Sequence, residues 1–499
     1  MIYNFNLGIG WASSGVEYAQ AYRAQVLRRI GQPAKFIFTD MFVSENIEHM
    51  TENIGFTDDQ VIWLYTYFTD TKIAPVSFTI DDLKKQTAGR EYVYSKEGKI
   101  AKFEFGKKSD FWRIYLVNEN EDRVFKVEIV SNNCLVRTDY YTYCKIFTEH
   151  YAPLNGKGHM YNRRFLNEDG SVAYEEFNDG GDVFFKFPDR VIYSKEELVG
   201  YMVERMQITD KDIVIIDRTT GIGQQILENA KHAHIGIVIH ADHFSEGNTD
   251  DDNILWNNYY EYSFSNYDKI EFFITSTYDQ QKLIEEQYDK YYGVRPKIYT
   301  IPVGALTELK RPEHARKKHS LITASRLAAE KHVDWLASAV IKARKVIPDV
   351  SLDIYGYGGE ESKIKKIIED NGAQDYIKLC GHVNLAEVYK NYDAYFSGSM
   401  SEGFGLTLME AIGSGLPIIG FNVRYGNMNF IDEGQNGYKI EIHDKMDNKE
   451  RIELLTDRLI KLFTEADMDA FHEHSYAKAE EYLEKEVEKK WSQLLEILV

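Results

Sequence analysis

Ile2-Tyr3-Asn4-Phe5-Asn6-Leu7, then Gly8-Ile9-Gly10-Trp11-Ala12-Ser13-Ser14-Gly15, then residues 16 to 30, then Ala34-Lys35-Phe36-Ile37-Phe38 set the fold class. In order they read as a strand, a Gly/Ser loop, a helix and a second strand. A β-α-β opening of this kind is typical of a doubly wound sheet. The same rhythm returns later. Ile213-Val214-Ile215-Ile216 and residues 235 to 239 are apolar runs of the buried parallel type, and Phe272-Phe273-Ile274 and residues 298 to 301 complete that sheet. Pro302-Val303-Gly304 reads as the crossing into a second domain.

Between the two halves of this first domain the pattern changes. From residue 75 to 190, short alternating runs (100–105, 112–117, 124–130, 135–143, 161–165, 172–177 and 183–187) are separated by turn chemistry such as Asn167-Glu168-Asp169-Gly170. Strands without intervening helices form an antiparallel meander, so this segment reads as an insertion. After residue 304 strand and helix alternate again, with strands at 321–324, 352–355, 377–379, 394–396 and 417–420. The helix after Lys331 carries Val333, Leu336, Val340, Ala343 and Ile347 on one face, at spacings of three and four. Residues 471 to 498 read as one terminal amphipathic helix. The division expected is a first Rossmann-like domain in two parts (1–74 and 191–304), the β insertion (75–190) for acceptor or partner contact, a second Rossmann-like domain (305–470) for the donor, and the C-terminal helix (471–499).

Ligands of such sheets bind outside the carboxyl ends of the strands, so the loops there are the candidates, and they are expected to line one cleft. Ser401-Glu402-Gly403-Phe404-Gly405-Leu406-Thr407-Leu408-Met409-Glu410 puts a glycine-flanked loop before a helix that starts near Gly405. A glycine-rich helix start favours an anion, through free N–H groups and the helix dipole. Two carboxylates in such a place suit hydroxyls rather than phosphate, so phosphate and hydroxyl together point to a nucleotide sugar. Arg326 and Lys331, in Ser325-Arg326-Leu327-Ala328-Ala329-Glu330-Lys331, are two cations at a strand end and suit a diphosphate leaving group. A surface ion pair with Glu330 is the other reading open to Arg326. His240 ends a buried strand and could exchange a hydrogen bond with a sugar hydroxyl. The glycines around Gly358 would let the chain turn beside a nucleotide, and the backbone at Gly381-His382 could meet a base edge.

Composition narrows the classes further. A formal charge of −20 argues against general nucleic-acid binding. No apolar run is long enough to span a bilayer, and the N-terminus has no basic n-region, so no signal peptide is expected. Three cysteines at 134, 144 and 380 form no disulfide framework and no metal-ligand spacing, which suits a reducing cytoplasm.

The paired glutamates at 402 and 410, with the upstream Ser-Arg-Leu and Glu-Lys, resemble the retaining GT-B glycosyltransferases of family 4. The resemblance implies an α/β GT-B fold of two doubly wound domains. It gives Arg326 and Lys331 the diphosphate, Glu410 the ribose hydroxyls, and Glu402 the donor sugar near its anomeric carbon. Gly403, Phe404, Gly405, Leu406 and Thr407 would contact sugar and phosphate, Ser14 and Gly15 the diphosphate from the first domain, and His240 the sugar. Gly358 and His382 are counted with the donor site. No metal ion is implied. Many members have two glycines where this chain has Ser14-Gly15. Residues 6 to 20, Ile222-Gly223-Gln224, residues 254 to 260 and the β-rich insertion are similar to the GtfA subunits of accessory Sec systems. That implies transfer of N-acetylglucosamine from its UDP donor to Ser or Thr of a serine-rich repeat adhesin, alongside a homologous non-catalytic GtfB-type partner, in the cytoplasm and associated with the membrane face. UDP-glucose as donor, and a Ser-Asp repeat protein or teichoic acid as acceptor, remain open alternatives.

Overall fold

The computed structural model describes residues 1–9, 15–154, 156–443 and 445–498. The chain divides into two compact units, Met1–Ile237 with Asn258–Glu271, and Val238–Asn257 with Phe272–Val499.

The first unit is built on parallel strands in the order Val61–Trp63, Ala34–Phe38, Ile2–Asn6, Ile213–Ile216 and His234–Ile239, the last running into the second unit. Phe5, Phe36, Phe38 and Ile213 to Ile216 are buried, as apolar runs in a sheet covered on both faces must be. The helix Gly15–Arg29 starts one residue before the position read from the sequence and buries Ala19, Arg23, Ala24, Val26 and Leu27. Arg23 on that face is held by a buried network. Its guanidinium donates to both Asp217 oxygens, at 3.1 and 2.6 Å, and to Asn4 Oδ1 at 2.9 Å. Gln20 donates to Asp217 at 2.6 Å and accepts from Asn6 at 3.0 Å. A buried charge needs such compensation, and this one ties the helix to the carboxyl ends of two strands.

The insertion is a ten-stranded antiparallel meander in unbroken chain order, from Val93–Glu97 to Val191–Ile192. It contains the seven strands read from the sequence, and three more: Val93–Glu97, Lys145–Leu154 and Val191–Ile192. At one end Phe103, Ile114, Val127 and Tyr141 close over Ile80 and Leu83 of the helix Ile80–Lys85. At the other a ladder of rings, Tyr65 on Phe165 (5.5 Å), Phe165 on Tyr174 (4.5 Å) and Tyr174 on Phe187 (4.6 Å), joins the meander to the chain after Trp63. Tyr174 also donates to the Tyr65 carbonyl at 2.7 Å.

The second unit carries a six-stranded parallel sheet ordered Ile377–Gly381, Ser351–Tyr355, Ser320–Ala324, Ala394–Phe396, Ile418–Phe421 and Gly437–Ile440. The helix Val333–Ala343 buries the face predicted from its spacing. The strands Phe272–Thr275 and Ile298–Thr300 pair with each other in parallel. The single terminal helix expected over 471 to 498 is two, Met468–Ala479 and Glu484–Leu498, around a short 3-10 turn at Glu480–Tyr482. The break has a local cause. Leu483 is extended, and Leu306 bridges to it, donating to the Tyr482 carbonyl at 2.8 Å and accepting from Glu484 N at 3.0 Å.

Candidate active site

The central strand Ser320–Ala324 delivers residues 325 to 332 at its carboxyl end, and the neighbouring strand Ala394–Phe396 delivers residues 397 to 405. These two loops pack on one another. Met400 N donates to the Glu330 carbonyl at 3.2 Å, and a Cβ on Gly398 would stand 2.8 Å from the Lys331 carbonyl. The contact brings Lys331 Nζ to 2.6 Å from Glu402 Oε2, with side chains only 16% and 20% exposed. Arg326 is placed differently. Its side chain is 77% exposed and lies 3.4 Å from Glu330, the surface pair that the sequence equally allowed.

The helix Leu406–Gly413 begins where the reading of the sequence put it. Gly405 caps it at φ 90°, a left-handed conformation that glycine adopts without a Cβ penalty. Leu408 N and Met409 N both donate to the Gly405 carbonyl at 3.0 Å, which leaves the Leu406 and Thr407 N–H groups to form an anion-favouring end. Phe404 turns its ring into the core against Phe430 and Tyr482, so only its backbone is available to a ligand. Leu406 packs towards Gly304, where a Cβ would meet it at 2.5 Å. Tyr395 donates to the Ala324 carbonyl at 3.0 Å and lies 3.1 Å from the Thr407 hydroxyl, tying this helix to the end of the central strand.

Glu410 accepts a hydrogen bond from Tyr389 at 3.1 Å. Its side chain still reaches solvent, but the protein packed around the carboxyl raises its pKa, against the opposing pull of the Tyr389 hydrogen bond. Glu402 is bound by its backbone to a segment that sequence reading did not single out. Glu402 N donates to the Arg424 carbonyl at 3.0 Å, and Tyr425 N donates back to the Glu402 carbonyl at 2.6 Å.

His240 is half-buried at the end of its strand, and its carbonyl lies where a Cβ on Gly403 would stand, 2.5 Å away. The structure thus brings His240 to the Glu402 loop. The glycines at 356 and 358 have a structural reason: a Cβ would fall 1.9 Å from the Ser325 carbonyl oxygen and 2.4 Å from the Leu327 carbonyl oxygen. They seat the cation loop. His382 is exposed, its ring edge-on to Tyr357 at 5.7 Å. Gly15 is exposed at the start of its helix in the first unit, and Ser14 lies outside the described residues. Among the described residues no group of His, Cys, Asp or Glu is placed to hold a metal ion, and no helix is long and apolar enough to cross a membrane.

Comparisons with known proteins agree with this fold. Residues 91–189 match the GtfA extended beta-sheet domain, and residues 307–462 match the glycosyl transferases group 1 family. The chain is 51% identical over 495 residues to the UDP-N-acetylglucosamine–peptide N-acetylglucosaminyltransferase GtfA subunit of Streptococcus gordonii, covering 99% of this chain and 98% of that one. Among solved structures it resembles the pneumococcal O-GlcNAc transferase GtfA in complex with UDP and GlcNAc, with a TM-score of 0.93, 48% identity, and 100% and 98% of the two chains covered. It also resembles a chain of a GtfA/B complex, with a TM-score of 0.96, 51% identity, and coverage of 100% and 99%.

Proposed function

The chain belongs to the family of GtfA subunits of UDP-N-acetylglucosamine–peptide N-acetylglucosaminyltransferase, and from that premise we propose that it moves N-acetylglucosamine from UDP-GlcNAc to Ser and Thr hydroxyls of a serine-rich repeat adhesin, as the first step of its O-glycosylation. The observation that carries the reading is Lys331 set against Glu402 beside the glycine-capped helix start, with Glu410 eight positions on.

In this reading Arg326 and Lys331 hold the diphosphate, and the first-turn N–H groups support them. Glu410 accepts from the ribose hydroxyls, and Glu402 and His240 hold the sugar. The acceptor hydroxyl attacks the anomeric carbon on the face from which UDP leaves. The C1–O bond to the β-phosphate breaks, the bond to the Ser or Thr oxygen forms, and a β-phosphate oxygen takes the hydroxyl proton. Configuration is retained. Positioning and fixed charge are the protein's share. Growing charge on the diphosphate is met by the two cations and the helix start, so the reaction needs no metal ion. Lys331 pairs with Glu402, which keeps both charges compensated and oriented.

A homologous GtfB-type subunit is the partner, supported by the close likeness to a chain of the GtfA/B complex. We place the reaction in the cytoplasm at the inner membrane face, where the three free thiols suit a reducing compartment.

Replacing Arg326 or Lys331 by Ala tests the role of the cations. Either change is expected to leave a folded protein whose transfer is lower by roughly a hundredfold, about 3 kcal/mol of transition-state stabilisation. Turnover near that of the unaltered protein in both variants would sink the assignment.

A further inference from the structure

Two segments that flank the proposed sugar site are joined by side chains with no role in the mechanism above. His243 is fully buried, its ring lying between those of Tyr425 (5.9 Å) and Trp256 (6.0 Å). Its Nε2 lies 2.6 Å from Gln287 Oε1, and its Nδ1 lies 3.0 Å from the Tyr425 hydroxyl. The amide oxygen can only accept, so Nε2 carries the ring proton and Nδ1 is an acceptor facing the Tyr425 hydroxyl, which also hydrogen-bonds to the Asp242 carboxylate of the same segment. Burial pushes the ring's pKa down to about 4 and keeps it neutral in that arrangement.

The same two segments also meet elsewhere. Arg424 donates to Glu246 at 2.9 Å, with its guanidinium 4.7 Å above the Phe244 ring. The Ser401 hydroxyl lies 3.5 Å from Asp242. The His240 carbonyl fills the space beside Gly403. Tyr425 is also the residue whose N–H is bound to the Glu402 carbonyl. One residue therefore bonds by its backbone to the first glutamate of the motif, and by its side chain to the loop that bears His240.

We infer that Tyr425 is a positioning residue: through His243 it latches the 240–246 segment to the Glu402 backbone and fixes the separation of His240 and Glu402 around the donor sugar. The inference rests on the function proposed above. A latch of this kind acts on the sugar before UDP, because of the residues assigned to diphosphate and ribose only Lys331 is linked to it, through the Glu402 side chain and not through Tyr425 or His243.

The test is a kinetic cycle on the full chain with its partner subunit, using Tyr425→Phe, His243→Leu and the double variant. Tyr425→Phe removes one hydroxyl and keeps the ring and the backbone bond to Glu402. The expected result is a kcat about tenfold lower with UDP-GlcNAc, while UDP affinity and donor KM stay within about twofold, as for misplacement of a reacting group. The double variant should fall by clearly less than the product of the two single effects, since both remove the Tyr425–His243 bond. His243→Leu reaches that bond from the other side and carries the test if Tyr425→Phe unfolds. Unchanged kcat in a folded variant overturns the latch, as do losses of kcat and UDP affinity in step with a lower Tm. An unaltered protein that releases no sugar from UDP-GlcNAc overturns the functional reading and the latch with it.

Discussion

Glu410, proposed above to accept from the ribose hydroxyls, carries a titration that bears on both the fold and that role. Protein packed around its carboxyl raises its pKa, so the native state binds the proton more tightly than the unfolded chain does. The sign follows: the native state is favoured at low pH, and that contribution is lost as pH rises from the ordinary carboxylate value through the raised one. At neutral pH ionised Glu410 is a small cost, limited by its access to solvent. Glu410→Gln should therefore leave Tm unchanged or slightly higher, measured by calorimetry. In the proposed role of ribose acceptor the same group binds most strongly when ionised. UDP affinity should fall about tenfold or more in the variant, the order of a lost hydrogen bond to a charged acceptor. In the unaltered protein, UDP affinity should weaken on acidification with a midpoint above the ordinary carboxylate range, and titration calorimetry across pH should show that slope disappearing in Glu410→Gln. An identical pH slope in both proteins would remove Glu410 from the ribose.

At the scale of elements, the cation loop depends on a neighbour that carries no chemistry. Gly356 lies so close to the Ser325 carbonyl that any Cβ must displace residues 325 to 331. Gly356→Ala should abolish UDP binding while circular dichroism shows the helices and sheets retained; full UDP affinity would show that the loop adapts. The strands at Ser320–Ala324, Ser351–Tyr355 and Ala394–Phe396 were legible as apolar runs between turns, and the helix Val333–Ala343 as one apolar face. The strands Val61–Trp63 and Gly437–Ile440 are too short to show a period. Lys145–Leu154 was illegible for another reason. Thr148 and Glu149 on it are buried, with Glu149 paired to Arg163, so the alternation of apolar and polar residues that marks a half-buried strand is missing. In the candidate site, the glutamate pair and the cation pair were readable because the members of each lie close together in the sequence, eight and five positions apart. His243 and Tyr425 were not, being 182 positions apart and joined only by the fold. Arg23 left a fainter signal, a charged residue at helical spacing from buried Ala19 and Val26.

Across the whole molecule, a sheet-only insertion is joined to a chain that otherwise alternates strand and helix. Its interior contains a buried arginine between two carboxylates, Arg163 with Glu149 at 2.6 Å and with Glu176. Tyr140 and Tyr151 add hydrogen bonds to Glu149 at 2.9 and 2.6 Å. Removing the cation alone would strand two buried negative charges. Arg163→Met is expected to destabilise the protein by about 3–5 kcal/mol, seen as an earlier unfolding transition. If the insertion holds the acceptor, as its sheet-only build leads us to expect, then above that transition release of sugar from UDP-GlcNAc should outlast transfer to polypeptide. Loss of both activities together at that transition would contradict an acceptor role for the insertion. The central claim, GlcNAc transfer to polypeptide hydroxyls, is most directly tested by incubating the protein and its partner subunit with a serine-rich peptide and either UDP-GlcNAc or UDP-glucose, and weighing the intact peptide. The account predicts a peptide heavier by whole N-acetylhexosamine residues with UDP-GlcNAc, and no gain when Lys331 is replaced by Ala. Addition of hexose from UDP-glucose in preference, or a peptide unchanged with both donors, would contradict it.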